Sequence, residues 1–246
     1  MIVSWFSAGV SSAVATKLKI NKIDKIIYTH IDDQHPDTLR FIKDCEKWFG
    51  KKIEILQSPY KSVENACRMS GGRGYVNGAA GAVCSRLLKR RVRKEWEIEQ
   101  TELLTYIWGL DCNEKHRAER IIESMPEQQH VFPLIENNIT KQEAHQMLNA
   151  NNIKRPVMYD LGYNNNNCIG CVKGGKGYWN HIRIDFPEVF KKRAEMERFI
   201  HGTCIKRIYL DELDPESGRH TPPIVDDCGI LCETLVIDNL SGEQEG

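Results

Sequence analysis

Apolar residues in this chain fall in short runs separated by polar, helix-length stretches, and that alternation predicts an α/β fold. Residues 2–6 (Ile-Val-Ser-Trp-Phe) form the first apolar run, followed by small residues and a helix-like stretch. Residues 25–31 predict a second buried strand that ends in Asp32-Asp33. A helix from about residue 36 to 48 and a strand over residues 52–56 come next. A fourth strand is predicted over residues 105–109, then a helix over 113–125 carrying Glu114, Arg117 and Arg120. The two arginines are three apart and share a helix face. Thr140 to Glu143 reads as a capping box opening a helix that ends near Asn151. Strands alternating with helices at this spacing imply right-handed βαβ units and a parallel sheet. From about residue 155 strand signals thin out and Cys, Gly and Asn become more frequent. The expected organisation is an α/β core over residues 1–154, a Cys-rich region over 155–240 packed on it, and a tail over 241–246.

The first strand runs into Ser7, Ala8, Gly9, Val10, Ser11 and Ser12 before the helix. Small residues let the backbone approach an anion closely, and N–H groups at a helix start point at it. The serine hydroxyls add donors. The loop matches neither the Walker pattern nor Gly-x-Gly-x-x-Gly. An ordinary strand-to-helix turn with Ser as N-cap fits it equally well. In a parallel sheet, ligands bind at the carboxyl ends of the strands, which is where this loop and Asp32-Asp33 both fall.

Residues 70–82 hold many glycines around Arg73 and predict an irregular, lid-like loop. Residues 84–94 then predict a strongly basic helix. Such a run is a solvated face or a surface turned towards an anionic substrate.

The charge balance excludes a strongly basic or acidic chain: among 246 residues, Lys+Arg and Asp+Glu are both 34. No global field therefore argues for non-specific nucleic-acid binding. No apolar run reaches membrane-spanning length. The N-terminus shows neither the basic segment nor the cleavage site of a signal peptide, so a reducing cytoplasm is expected. There, clustered cysteines point to metal or redox chemistry rather than disulfides. Cys168-Ile-Gly-Cys171 has the bite of a metal or iron–sulfur ligand pair, and Cys228 and Cys232 form a second couple. Zinc would take four thiolates, whereas an iron–sulfur cluster could draw one from Cys84. Cys45, Cys67, Cys112 and Cys204 read as buried, reduced residues.

Taken together, residues 2–190 resemble the phosphoadenosine phosphosulfate reductase-like branch of the N-type ATP pyrophosphatases, within the adenine nucleotide alpha-hydrolase superfamily. The family loop Ser-Gly-Gly-x-Asp-Ser is met by residues 7–12, and its Asp-Thr-Gly segment with a following Pro-Glu-Thr helix by residues 31–38. A Cys followed by a Lys-bearing helix is met by Cys84 and Lys89. Gly109 and Glu114 fit a Gly-x4-Glu-x3-Arg pattern, but Ala118 stands at its arginine, leaving Arg117 or Arg120 to serve. The order Pro-Leu-Ile, Thr-Lys-Gln-Glu, Pro156, Tyr159, Gly162, Cys-x-x-Cys is the most specific part, and Phe186-Pro-Glu-Val-Phe190 continues it. Residues 227–232 are similar to the Glu-Cys-Gly-Ile/Leu-His segment of sulfonucleotide reductases, with Leu231 at the histidine. Where cluster-bearing reductases have a Cys-Cys pair, this chain has Cys84 alone. Ser11 stands where the pyrophosphatases carry an acidic residue that helps hold magnesium.

The resemblance implies a parallel-sheet, Rossmann-like core with a Cys-rich C-terminal appendage. It places a nucleotide, ATP or phosphoadenosine phosphosulfate, at Ser7, Ala8, Gly9, Ser11 and Ser12, with Asp32 and Asp33 beside the nucleoside. Arg73, Lys89 and Arg117 or Arg120 would neutralise phosphate or sulfate. Cys228 would be the nucleophile of a reductase, forming an S-sulfocysteine. Cys84, Cys168 and Cys171, completed by Cys232 or else by Cys228, would hold a 4Fe–4S cluster or zinc, with magnesium left open. A nucleotide-activating sulfurtransferase is the other enzymatic expectation, with nucleic acid as one possible acceptor. A thiol reductant and a second copy of the chain are further expected partners. A rival expectation is a non-catalytic, nucleotide-sensing or metal-stabilised module of a larger assembly.

Overall fold

The computed structural model describes residues 1–69, 76–78 and 81–218. Arg73, Cys228, Cys232 and the expected tail lie outside the described residues. Along the chain, β1 (Ile2–Trp5), α1 (Val10–Leu18), β2 (Lys25–His30), α2 (Asp37–Phe49) and β3 (Ile53–Gln57) follow the predicted order. Next come α3 (Val63–Met69), the short strands β4 (Asn77–Gly78) and β5 (Gly81–Ala82), a π-helix (Ser85–Arg90) and α4 (Arg91–Ile98). Then follow β6 (Thr105–Ile107), α5 (Lys115–Ser124), β7 (Gln129–Val131), α6 (Pro133–Glu136) and α7 (Lys141–Ala150). The described chain ends with α8 (Val157–Asp160), α9 (Lys176–Asp185) and α10 (Pro187–Ile200). Among the described residues, no helix is long and apolar enough to cross a membrane.

Two compact units are each assembled from separate stretches of sequence. The first comprises Met1–His30, Pro36–Leu56 and Glu95–Val157. It is built on a five-stranded sheet of order β3-β2-β1-β6-β7. Strand β1 runs parallel to β2 and β6, and β6 runs parallel to β7. The α/β expectation is therefore met. The strands are short, and the central ones bury Val3, Ile26, Ile27, Tyr28, Tyr106 and Ile107 in the core, whereas the edge strands β3 and β7 are largely exposed or half-buried. The chain moves outward from β1 through β2 to β3, then resumes at β6 on the other flank of β1. Strand order thus reverses at β1, the switch point where α/β sheets open a crevice.

Gly109, two residues beyond β6, lies against the first turn of α1. A Cβ there would lie 2.4 Å from Ser12 Cα and 2.6 Å from Ser12 N, so no side chain fits. The predicted capping box opens α7: Glu143 N–H donates to Thr140 Oγ1 at 3.2 Å and Thr140 N–H to Glu143 Oε2 at 2.8 Å. Arg40 on α2 clamps Asp37 and Asp44 and donates to the carbonyls of Lys154 and Arg155. Asp37 also accepts from Val157 N–H at 2.9 Å, which ties the last stretch of this unit to α2.

The second unit comprises Ile31–His35, Gln57–Lys94 and Met158–Gly246, described as far as residue 218. Helices α9 and α10 pack Trp179, Ile182 and Met196 into a core with Leu88, Val172 and Leu210. Two sequence expectations need correction here. Within the Gly-rich stretch, β4 and β5 pair antiparallel (Asn77 with Ala82, Gly78 with Gly81), so these residues are not irregular. Val83 N–H to Val76 O at 3.1 Å extends that pairing. The basic run is helical, but its first turn and a half is π-helix rather than α-helix.

Glu197 on α10 is fully buried and accepts from Leu210 N–H at 2.7 Å and from Cys204 N–H. It anchors the segment after α10 where no secondary structure satisfies those donors. Burial nevertheless pushes its carboxyl above the ordinary value, against the pull of the donors.

Gly109→Ala should lower stability by about 1–3 kcal/mol through forced displacement of the Ser12 backbone, read from thermal or urea unfolding. Glu197 makes stability depend on pH. A carboxyl whose folded value is raised stabilises below its unfolded value and loses that contribution as pH rises through the folded one. The melting-temperature gap between wild type and Glu197→Gln should therefore be wider near about pH 4 than near about pH 7. A gap that widens with rising pH contradicts this sign.

Candidate nucleotide cradle and cysteine turn

In the first unit, β1 ends at Trp5 and the chain turns sharply before α1. Ala8 adopts φ +58°, the left-handed region that favours glycine, which is where the family loop has one. Gly9 is the N-cap residue in extended conformation and makes no side-chain cap hydrogen bond. The first helical bond is Ala13 N–H to Gly9 O at 3.0 Å. The N-terminal turn of α1 therefore presents backbone donors and the positive end of its dipole at the switch point.

The serines divide their work. Ser12 Oγ accepts from Ser7 N–H at 3.0 Å, closing the loop across five residues. Thr16 Oγ1 donates to Ser12 O at 2.8 Å and shares a 2.7 Å hydrogen bond with Ser4, fixing α1 against β1. Ser11 and Ser12 are both buried, and Ser7 is half-buried. The three hydroxyls expected as ligand donors thus include one, that of Ser12, which also shapes the loop.

On the far side of the switch point, Asp111 and Glu114 form a second capping box. Asn113 N–H donates to Asp111 Oδ1 at 2.9 Å, and Asp111 N–H to Glu114 Oε2 at 3.0 Å. Glu114 also pairs with Arg117 Nη1, and Arg117 is buried. Arg120 is exposed instead. The two arginines thus share a helix but not an environment, and Ala118 at the family's arginine position is itself buried.

In the second unit, Asp32 and Asp33 diverge. Asp33 Oδ1 pairs with Arg193 Nη2 at 2.8 Å, and Oδ2 accepts from Val63 N–H at 2.7 Å. Arg193 is almost wholly buried, so this carboxylate is bound into the interior. Asp32 is exposed and accepts from Gln57 Nε2 at 2.7 Å. Lys89 lies half-buried in the π-helix.

The Cys168–Cys171 turn is held at its mouth by Tyr178. Cys171 N–H donates to Tyr178 Oη at 2.8 Å, and the phenol donates to Cys168 O at 3.2 Å. Burial pushes that phenol well above its ordinary value, so it stays a neutral donor. Gly170 turns the chain at φ +67°, and Ile169 N–H reaches Asp33 O at 2.8 Å. Tyr178 carried no sequence signal that linked it to the cysteines.

Cys84, Cys168 and Cys171 all belong to one apolar cluster. Among the described residues, however, no three of His, Cys, Asp and Glu converge as metal ligands. Cys84, Cys168 and Cys171 thus do not by themselves form a cluster or zinc centre, and Cys228 and Cys232 lie outside the described residues. Cys45, Cys67 and Cys204 are buried as expected, whereas Cys112 is half-buried. Burial pushes the thiols of Cys45 and Cys204 upward and that of Cys67 up to about 11, the environment of inert cysteines.

A family model described as the phosphoadenosine phosphosulfate reductase domain matches residues 1–174. Among solved structures, the chain is similar to phosphoadenylyl-sulfate (PAPS) reductase from Candida auris in a phosphate complex. The two share 14% sequence identity at a TM-score of 0.47, over 65% of this chain and 78% of that one. No curated protein matches the sequence. The matched model spans well over half of the 246 residues, and this chain belongs to the phosphoadenosine phosphosulfate reductase domain family.

Proposed function

We propose that this protein is an enzyme that binds a sulfonucleotide at residues 7–12 and carries out sulfur chemistry on it. The observation that carries the reading is the N-terminus of α1, which lies at the reversal of strand order without a side-chain cap. Such a terminus suits a phosphate or sulfate group. Ser11 favours a sulfonucleotide over magnesium-dependent ATP cleavage. A serine supplies no charged oxygen ligand for magnesium, so the cradle has to hold its anion through backbone donors and cationic side chains.

Lys89, Arg120 and Arg73 are assigned to the anionic groups, with Arg117 positioned by Glu114 rather than by ligand alone. Cys228 is assigned as nucleophile. Its thiolate forms a bond to the sulfate sulfur while the sulfur–oxygen bond to the nucleotide breaks, and adenosine 3′,5′-bisphosphate leaves with that electron pair. A small-molecule or protein dithiol then reduces the S-sulfocysteine, leaving as its disulfide while sulfite is released and the Cys228 thiol is restored.

Calorimetry with phosphoadenosine phosphosulfate should show binding that survives EDTA, and tighter binding than ATP with magnesium. If neither nucleotide binds, the reading fails. With dithiothreitol as reductant, sulfite should be released, and Cys228→Ser should abolish that release while changing nucleotide affinity by less than about threefold. Undiminished sulfite from Cys228→Ser would remove this residue from the chemistry.

A further inference from the structure

We propose that Ser58 is a positioning residue that holds residues 85–90 in the π register and so sets the direction in which Lys89 leaves the helix. The inference deepens the assignment of Lys89 to the sulfonucleotide and rests on that reading.

A six-residue π-helix at Ser85–Arg90 is unusual. Its last turn is closed by Arg91 N–H to Arg86 O, a bond to the fifth residue back. Such a stretch forfeits α-helical geometry and needs support from outside the helix. Ser58 supplies it from the turn after β3. The residue is buried, and its hydroxyl donates to Leu87 O at 3.0 Å, in the middle of the π segment. The same oxygen accepts from Tyr60 N–H at 3.3 Å, which fixes the hydroxyl's direction.

The turn that carries Ser58 is itself constrained. Lys61 N–H returns to Ser58 O at 3.0 Å, Pro59 pre-sets the second position, and Lys61 adopts φ +59°. The Tyr60 ring lies 5.9 Å from the Arg91 guanidinium, so the turn meets the helix at the middle and at the end of the π segment. Leu88 is fully buried and Ser85 is buried, which anchors one side of the segment in the core. One extra residue per turn rotates the downstream helix by about 100° relative to a continuous α-helix. In the α register, Lys89 would leave the helix in a different direction from the one it has beside buried Leu88.

The test has two arms, both on the full chain. In backbone NMR, Ser58→Ala should move the signals of residues 85–92 towards α-helical values, and Ser58→Thr, which keeps the hydroxyl, should restore the wild-type pattern. If Ser58→Ala does not fold, Ser58→Cys keeps the volume with a weaker donor and takes its place. In a double-mutant cycle read by calorimetry, Ser58→Ala should weaken phosphoadenosine phosphosulfate binding about tenfold when Lys89 is present and less than about twofold in Lys89→Ala. Unchanged NMR signals, or equal losses in both backgrounds, overturn the proposal. A register shift in Ser58→Ala, with no sulfonucleotide binding by the wild type, leaves Ser58's role in the π register standing and removes the functional reading instead.

Discussion

The buried ion pair between Asp33 and Arg193 joins stretches of chain that sequence order keeps far apart. Asp33 belongs to the short segment Ile31–His35, Val63 opens α3 in the Gln57–Lys94 segment, and Arg193 lies on α10. One carboxylate binds both partners, and the backbone carbonyl of the same residue accepts from Ile169 in the cysteine turn. All three stretches of the second unit therefore meet at one residue. Removing one member of such a pair strands a buried charge and costs about 3–5 kcal/mol, a large share of a domain's total stability. That role also explains why the two neighbouring aspartates differ: Asp33 is bound into the interior, and Asp32 faces solvent.

A comparable clamp organises the first unit. Arg40 and Asp37 on α2 hold the backbone of residues 154–157. At its switch point the unit makes a tight strand-to-helix turn. Ala8 sits in a left-handed conformation, Gly9 caps α1 without a side chain, and Gly109 lets a neighbouring loop touch Ser12. A non-glycine residue at positive φ persists only where surrounding structure enforces it, and such sites concentrate around ligands.

Much of this was legible in local pattern. The first three strands, α1 and α2, and the Thr140 capping box are written in apolar runs and in residue spacings of three, because those signals act within one turn of chain. Gly109 was legible as a family position. The π register was not, because Leu88 and the residues after it read as an ordinary basic helix until Ser58, about thirty positions away, is brought to the Leu87 carbonyl. Nor was the separation of Arg117 from Arg120. Spacing places them on one face, and only the packing of α5 buries one and exposes the other.

The sequence by itself determined the alternation of strand and helix, the small-residue loop at the first strand end, and the family to which these belong. These rest on short-range preferences and on residue types that no distant partner can change. Tertiary structure decided which charged groups are already spent. Asp33 is committed to buried Arg193, and Arg117 and Glu197 are themselves buried with partners, whereas Asp32 and Arg120 remain exposed. It also decided how the Cys168–Cys171 turn is locked, through a phenol seven residues beyond it. Burial sets the electrostatic value of each of these groups, and burial is a property of the folded chain rather than of neighbours in sequence.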